Sequence, residues 1–259
     1  MRGYSTAKII NRKITKMIEA QLAGRLGNQL FQYATARTVA EKNGYNWYVN
    51  PDYWLGGDLI KCDLGIKDGE IRGYFSDEPI QRFNPKIFDI PDFIQIQGFW
   101  QSEKYFDRDK VKEWFKITYN QGVFDFWLGN YQDYTCLINI RGTDQADREW
   151  LVLPKEYYCK AQKIMLMFNN KLRFVIITDD IELSKKYFPD LPIYSNDRDT
   201  DFCILNTARY VISGLSTFTW WATYLNDYNV VIAPRGWFAQ TSKTDWQPQD
   251  IKTHKFIWI

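Results

Sequence analysis

Apolar residues fall in short runs separated by polar, glycine-bearing stretches, and in the second half of the chain the two alternate regularly. Residues 135–140, 173–178, 192–195, 211–213 and 230–233 read as buried strands. Between them, 155–168, 181–188, 201–210 and 217–225 carry helical spacing. Strand–helix alternation of this kind predicts a parallel sheet with right-handed crossovers, a Rossmann-like unit. The first half is less regular. Residues 18–23 form an apolar run, and Gly24-Arg25-Leu26-Gly27-Asn28-Gln29 reads as a loop. A helix is expected over 30–43, stopped by Gly44. Further strands are expected at 45–50 and 94–100 and a helix at 107–118, whereas most of 51–100 has no clear period.

Two loops in this pattern carry chemistry. A strand, a loop with two glycines and a helix start form a setting in which backbone N–H groups bind an anion. The glycines at 24 and 27 could equally serve turn geometry alone, and the spacing is neither a dinucleotide fingerprint nor a P-loop. The second loop, 141–144, follows the apolar strand ending at Ile140. In open α/β sheets, ligands collect outside the carboxyl ends of strands. An arginine there, Arg141, can offer two aligned N–H donors to a phosphate.

Composition narrows the field. The 259 residues are 45% hydrophobic and 25% charged, as in a globular protein of one large or two modest domains. Loss of periodicity around 120–133 suggests a division into 17–130 and 131–259. Residues 1–16, with five basic residues and no acid, read as a leader, tag or extension ahead of Met17. Setting those five charges aside turns the net +2 into −3, a balance unsuited to non-specific nucleic-acid binding. No apolar run reaches the length of a membrane span, and no signal core is visible. Cys62, Cys136, Cys159 and Cys203 are widely spaced and read as free thiols, so a cytoplasmic setting is expected. His254 is the only histidine, which argues against imidazole-based nucleophile systems and histidine-built zinc sites.

Six blocks in order resemble the α-1,2-fucosyltransferases, glycosyltransferase family 11. They are Gly24-Arg25-Leu26-Gly27-Asn28-Gln29-Leu30-Phe31-Gln32-Tyr33-Ala34, Gly98-Phe99-Trp100-Gln101-Ser102-Glu103-Lys104-Tyr105-Phe106, the 139–144 stretch, Thr178-Asp179-Asp180-Ile181-Glu182, Ser216-Thr217-Phe218-Thr219-Trp220-Trp221, and Val231-Ile232-Ala233-Pro234-Arg235-Gly236-Trp237-Phe238. The resemblance implies an α/β fold of two Rossmann-like domains, of the GT-B type, with a cleft between them. It places the acceptor on the first domain and the donor on the second. It implies inverting transfer of fucose from GDP-fucose to a hydroxyl of a glycan acceptor, galactose being common in the family. No metal or further cofactor is implied. Arg141 would hold the β-phosphate, and Asn28 with the loop Gly24, Arg25 and Gly27 would face the sugar phosphate. Ser216, Thr217 and Phe218 would line the diphosphate and nucleoside pocket, with Asp201 at the guanine.

The 139–144 stretch departs from the family's His-x-Arg-Arg-Gly-Asp at three points. The His is Asn139, the second Arg is Gly142 and the Gly is Thr143. A different GDP-sugar, or a non-catalytic nucleotide- or glycan-binding protein, therefore stands beside the fucosyl reading. An inverting transfer needs a proton acceptor, and without histidine a carboxylate is the default. Asp144 fits the motif, although it could instead brace Arg141; Asp147, Glu149, Asp77 and Glu103 are further candidates. Asp179-Asp180 reads as a helix cap rather than a metal pair, and Trp220-Trp221 as core. Arg235 either approaches the phosphates or is exposed.

Overall fold

The computed structural model describes residues 16–76, 82–120, 127, 134–142, 152–236, 248 and 250–259. Two parallel sheets dominate. The first has the order β2-β1-β5-β4, from β1 (Met17–Ala20), β2 (Asn46–Val49), β4 (Gly73–Ser76) and β5 (Ile94–Gln97). The second has the order β12-β11-β10-β7-β8-β9, from β7 (Thr135–Ile140), β8 (Arg173–Thr178), β9 (Ile193–Tyr194), β10 (Tyr210–Ile212), β11 (Val230–Ala233) and β12 (Ile257–Trp258). A small antiparallel pair joins β3 (Ile60–Lys61) to β6 (Lys116–Ile117). The expected α/β architecture is present. The division at 130/131 and residues 1–15 lie outside the described residues.

Helix α1 (Leu26–Asn43) starts four residues before the expected position, so Gly27 and Asn28 sit in its first turn rather than in a loop. Leu26 is buried with Leu30, and that packing outweighs the roughly 1 kcal/mol propensity penalty of one glycine. Gly44 ends the helix as expected: at φ +67° its N–H turns back to the Ala40 and Glu41 carbonyls. Helix α2 (Arg108–Trp114) is shorter than expected, because Ile117 leaves the helical path to pair with Ile60.

In the second half the helices are α3 (Lys155–Phe168), α4 (Ile181–Tyr187), α5 (Arg198–Thr207) and α6 (Thr217–Tyr224). Asp180 caps α4 by accepting from the Leu183 N–H at 2.9 Å, as its position after a strand suggests. The four cysteines are free thiols. Among the described residues, no helix is long and apolar enough to cross a membrane.

The two halves share one core, and α1 crosses α6 within it. Phe31 on α1 lies 4.7 Å from the Trp220 ring and 4.9 Å from Trp221, both on α6, and Phe106 stacks on Trp221 at 5.2 Å. Both tryptophans are buried, the core role expected of them. This crossing brings the start of α1 against the start of α6.

Candidate active site

At that junction lies a cavity of about 620 Å³, open between the two sheets at the carboxyl ends of β7 and β8. From the first half, Gly24, Arg25, Leu26, Gly27, Asn28 and Leu55 line it. Asn139, Arg141, Asp179, Ser195, Asn196, Arg198, Asp201, Ser216, Thr217 and Phe218 do so from the second, over an apolar floor that includes Ile177 and Leu205. Ten of the eleven residues expected to bind the donor or to act in catalysis through the family motifs are thus brought together. The eleventh, Asp144, lies outside the described residues, as do Thr143, Asp147, Glu149, Asp77, Trp237 and Phe238.

Close approach of the two helices explains the glycines. A Cβ on Gly27 would stand 2.4 Å from the Phe218 N and 2.5 Å from the Thr217 C, so only hydrogen lets α1 and α6 meet here. Gly24 adopts φ +73°, a left-handed turn that folds its backbone beneath Asn28. Two helix N-termini therefore converge on one cavity, and their aligned peptide dipoles favour an anion there.

The polar side chains are tied across this junction. Asn28 Oδ1 accepts from Thr217 Oγ1 at 3.0 Å and from Gln101 Nε2 at 2.9 Å, which leaves its amide N–H₂ as the group to donate. Arg141, half-buried at the end of β7, donates through Nη1 to Ser216 Oγ at 3.3 Å. Ser216 in turn caps α6 by accepting from the Thr219 N–H.

Asn139, in the place of the motif's histidine, is engaged structurally. Its Nδ2 donates to the Ile177 carbonyl at 3.3 Å and its Oδ1 accepts from Thr219 Oγ1 at 2.8 Å, which joins β7, β8 and α6. Gly142, in the place of the second arginine, is clamped by the acidic pair. Its N–H donates to Asp179 Oδ1 at 3.0 Å, and a Cβ there would lie 2.3 Å from Asp180 Oδ2. The missing arginine thus reflects a turn closed onto Asp179 and Asp180. Asp179, expected only as part of a cap, is exposed on the cavity.

Asp201 lies in the first turns of α5. Burial pushes its carboxyl up to about 6 from the usual 3.8, while a 2.8 Å hydrogen bond from Asn196 Nδ2 opposes the shift; Asp197 and Asp179 add to the rise. Helix α5 begins three residues before its expected start because Asp197 caps it, accepting from the Thr200 N–H at 2.9 Å. That earlier start is what brings Arg198 to the cavity.

Leu55 and Arg198 were not visible as site residues in the sequence. Arg198 Nη1 donates to the Leu55 carbonyl at 2.7 Å, and Gln29 on α1 holds the same loop through the Leu55 N–H and the Tyr53 carbonyl. The pairs lie far apart in sequence, so no local signal reveals them. Two nominated residues stay outside the cavity lining. Glu103 accepts from Thr253 Oγ1 at 2.7 Å beside His254, and Arg235 is exposed where β11 meets β12. Among the described residues, no cluster of three or more His, Cys, Asp and Glu is arranged to hold a metal ion.

An α/β pair of parallel sheets with a cavity between their carboxyl ends is the GT-B arrangement, and comparison with known proteins agrees. The crystal structure of the fucosyltransferase NodZ from Bradyrhizobium superimposes with a TM-score of 0.51, at 11% identity over 82% of this chain and 94% of that one. Arabidopsis thaliana FUT1, solved as its R284K mutant with GDP, gives 0.50 at 10% identity over 87% of this chain and 71% of that one. In sequence, the chain is 27% identical to the alpha-1,2-colitosyltransferase of Escherichia coli, over 90% of this chain and 96% of that protein. A shorter match, 26% identical over 36% of this chain and 34% of the relative, is to the O-antigen biosynthesis glycosyltransferase WbnK of Escherichia coli. No family model matches the chain. Likeness along nine tenths of the sequence, together with the shared fold, marks the protein as a glycosyltransferase of the GT-B fold.

Proposed function

We propose that the protein transfers fucose from GDP-fucose to a sugar hydroxyl, α-1,2 to galactose, with inversion and without a metal. The observation that carries this reading is Arg141. It sits at the carboxyl end of β7 beside Ser216, across the cavity from Asn28, where the first turns of α1 and α6 converge. Departure of GDP concentrates negative charge on its β-phosphate, and donors already aimed there lower the barrier without reorganising. Arg141, the Ser216 hydroxyl and the α6 N-terminus are such donors, while the Thr217 hydroxyl is spent on holding Asn28. Asn28 offers its amide from the opposite wall. Arg25, at the N-cap of α1, adds positive charge to the same wall.

Asp144 is the carboxylate assigned to take the acceptor proton, an assignment that rests on its place in the sequence motif. Phe218 and the apolar floor accommodate the nucleoside, and Asp201 reads the guanine edge. A carboxylate accepts from the N1–H and the 2-amino group of guanine together, which adenine cannot supply.

The pH dependence follows from Asp201. Its carboxyl, raised to about 6, must be ionised to accept both donors. Affinity for GDP is therefore expected to be full above neutrality and to fall as pH drops through 6, reaching roughly tenfold weaker near pH 5. Calorimetric titration of GDP across pH 5–8 measures this, and Asp201→Asn should flatten the profile. A wild-type profile that stays flat would remove Asp201 from base recognition.

A second reading keeps the site and changes the sugar: another GDP-deoxyhexose. It is favoured by the colitosyltransferase named above and by Gly142 standing where the fucosyl motif has an arginine. One experiment decides between them: GDP-fucose and other GDP-sugars are offered with galactose-terminated acceptors, and products are read by mass spectrometry and NMR. Fucosylated product supports the first reading. Turnover only with another GDP-sugar supports the second. Tight GDP binding with no turnover of any donor overturns both and leaves a nucleotide-binding protein.

A further inference from the structure

The backbone is strained just ahead of Gln101. Trp100 stands at φ +53°, in the left-handed region that a bulky side chain enters only where its surroundings hold it there. Its buried ring lies 6.1 Å from Phe75 and edge-on to Tyr105 at 5.3 Å, and its carbonyl accepts from the Ser102 N–H at 2.8 Å. The same turn is tied to α1. Gln32, buried on that helix, donates through Nε2 to the Gly98 carbonyl at 2.8 Å, while its Oε1 accepts from the Ala23 N–H at 3.0 Å. One side chain thus locks the turn after β5 to the loop that leads into α1. What the turn presents is Gln101, whose Nε2 donates to Asn28 Oδ1 at 2.9 Å.

That bond decides which way round the Asn28 amide sits. Its other partner, the Thr217 hydroxyl at 3.0 Å, can donate or accept and so tolerates either orientation. The Gln101 N–H can only donate. It turns Oδ1 inward and leaves Nδ2 over Gly24, where a Cβ would stand 2.4 Å from it. Gly24 and Asn28 both line the cavity. Held this way, the amide offers N–H to an anion there; reversed, it would offer a lone pair that repels one. Packing alone does not call for an amide at position 101, because Trp100 and Gln32 already anchor the turn.

We propose that Gln101 is a positioning residue, one that orients the Asn28 amide so that Nδ2 faces the donor's sugar phosphate. The proposal rests on the reading above, in which Asn28 meets that phosphate. Gln101→Met and Gln101→Glu, each with and without Asn28→Ala, test it in the full chain. GDP affinity is read by calorimetry at 0.15 M salt and kcat by GDP release, with folding checked by thermal melting. Gln101→Met frees the amide to rotate and should weaken GDP binding roughly fivefold. Gln101→Glu forces the amide over, since a carboxylate only accepts, and should weaken binding at least about tenfold further. The fall in kcat should follow the same order. In Asn28→Ala no amide remains to orient. Adding Gln101→Met there should change GDP affinity less than about twofold, and adding Gln101→Glu no more than about threefold, the share of a screened charge. A role in holding the turn would behave otherwise: both variants would melt early, and their effects would persist in full beside Asn28→Ala. That additive pattern, or wild-type GDP affinity in both single variants, overturns the positioning role and leaves the donor site standing. Failure of the wild-type chain to bind GDP overturns the donor site and this role with it.

Discussion

Arg141→Ala is expected to lower GDP release from the donor by about 10²–10³ while the protein stays folded. The side chain is half-buried at the mouth of β7, and its bond to Ser216 is a long one, at 3.3 Å between a cation and a neutral hydroxyl. Thermal melting of the variant alongside the assay separates a loss of chemistry from a loss of fold. The leaving diphosphate depends on the guanidinium. At the transition state the β-phosphate gains charge that the converging helix termini and the Ser216 hydroxyl only partly offset. Arg141→Lys should recover only part of the loss, because an ammonium cannot present two parallel N–H groups to phosphate oxygens. Steady-state kinetics should show the fall mainly in kcat, since charge develops during bond breaking, with a smaller change in KM. Turnover within threefold of wild type in Arg141→Ala would take this arginine out of the chemistry.

Five of the six strands of the second sheet are legible because they are apolar runs alternating with periodic helices, as parallel strands buried on both faces require; the two-residue edge strand β12 is too short to show a pattern. The first sheet was harder. Strands β4 and β5 mix polar residues such as Tyr74, Gln95 and Gln97 with apolar ones, and β4 shows no apolar run at all. Two glycines resemble a loop, so the pattern alone starts α1 at Leu30. Gly27 is there for another reason: a second helix approaches it, and no local period encodes that approach. The same holds across the cavity. Arg141, Asn28 and Ser216 came from motifs, whereas Leu55 and Arg198 meet through a bond spanning 143 positions. Asn139 shows the limit of motif reading most plainly. It stands where the family has a histidine, and its side chain is spent joining two strands to a helix.

Gly27→Ala is expected to damage both stability and activity, although alanine is the better helix former. Two effects oppose each other. Alanine in the first turn of α1 gains up to about 1 kcal/mol in helix propensity. Against it, the new methyl would lie 2.4 Å from the Phe218 N and 2.5 Å from the Thr217 C, distances that real contacts do not reach. These are backbone atoms at the start of a helix, so no rotamer change relieves the overlap and α1 must move off α6. Overpacking of this kind costs typically 1–3 kcal/mol, and the Asn28–Thr217 bond and the Phe31–Trp221 contact lie on the same crossing. The clash wins. A net loss of about 2 kcal/mol corresponds to a fall of roughly 4–8 °C in Tm for a chain of this size. Turnover should fall further than stability, because the separation also draws Asn28 away from Arg141 across the cavity. A second substitution distinguishes the cause. Thr217→Ala removes the side-chain oxygen that would stand 2.6 Å from the new methyl but leaves the obstructing backbone in place. The double variant should therefore stay impaired, and recovery of the wild-type melting temperature in it would show that the side chain, not the helix start, sets the spacing.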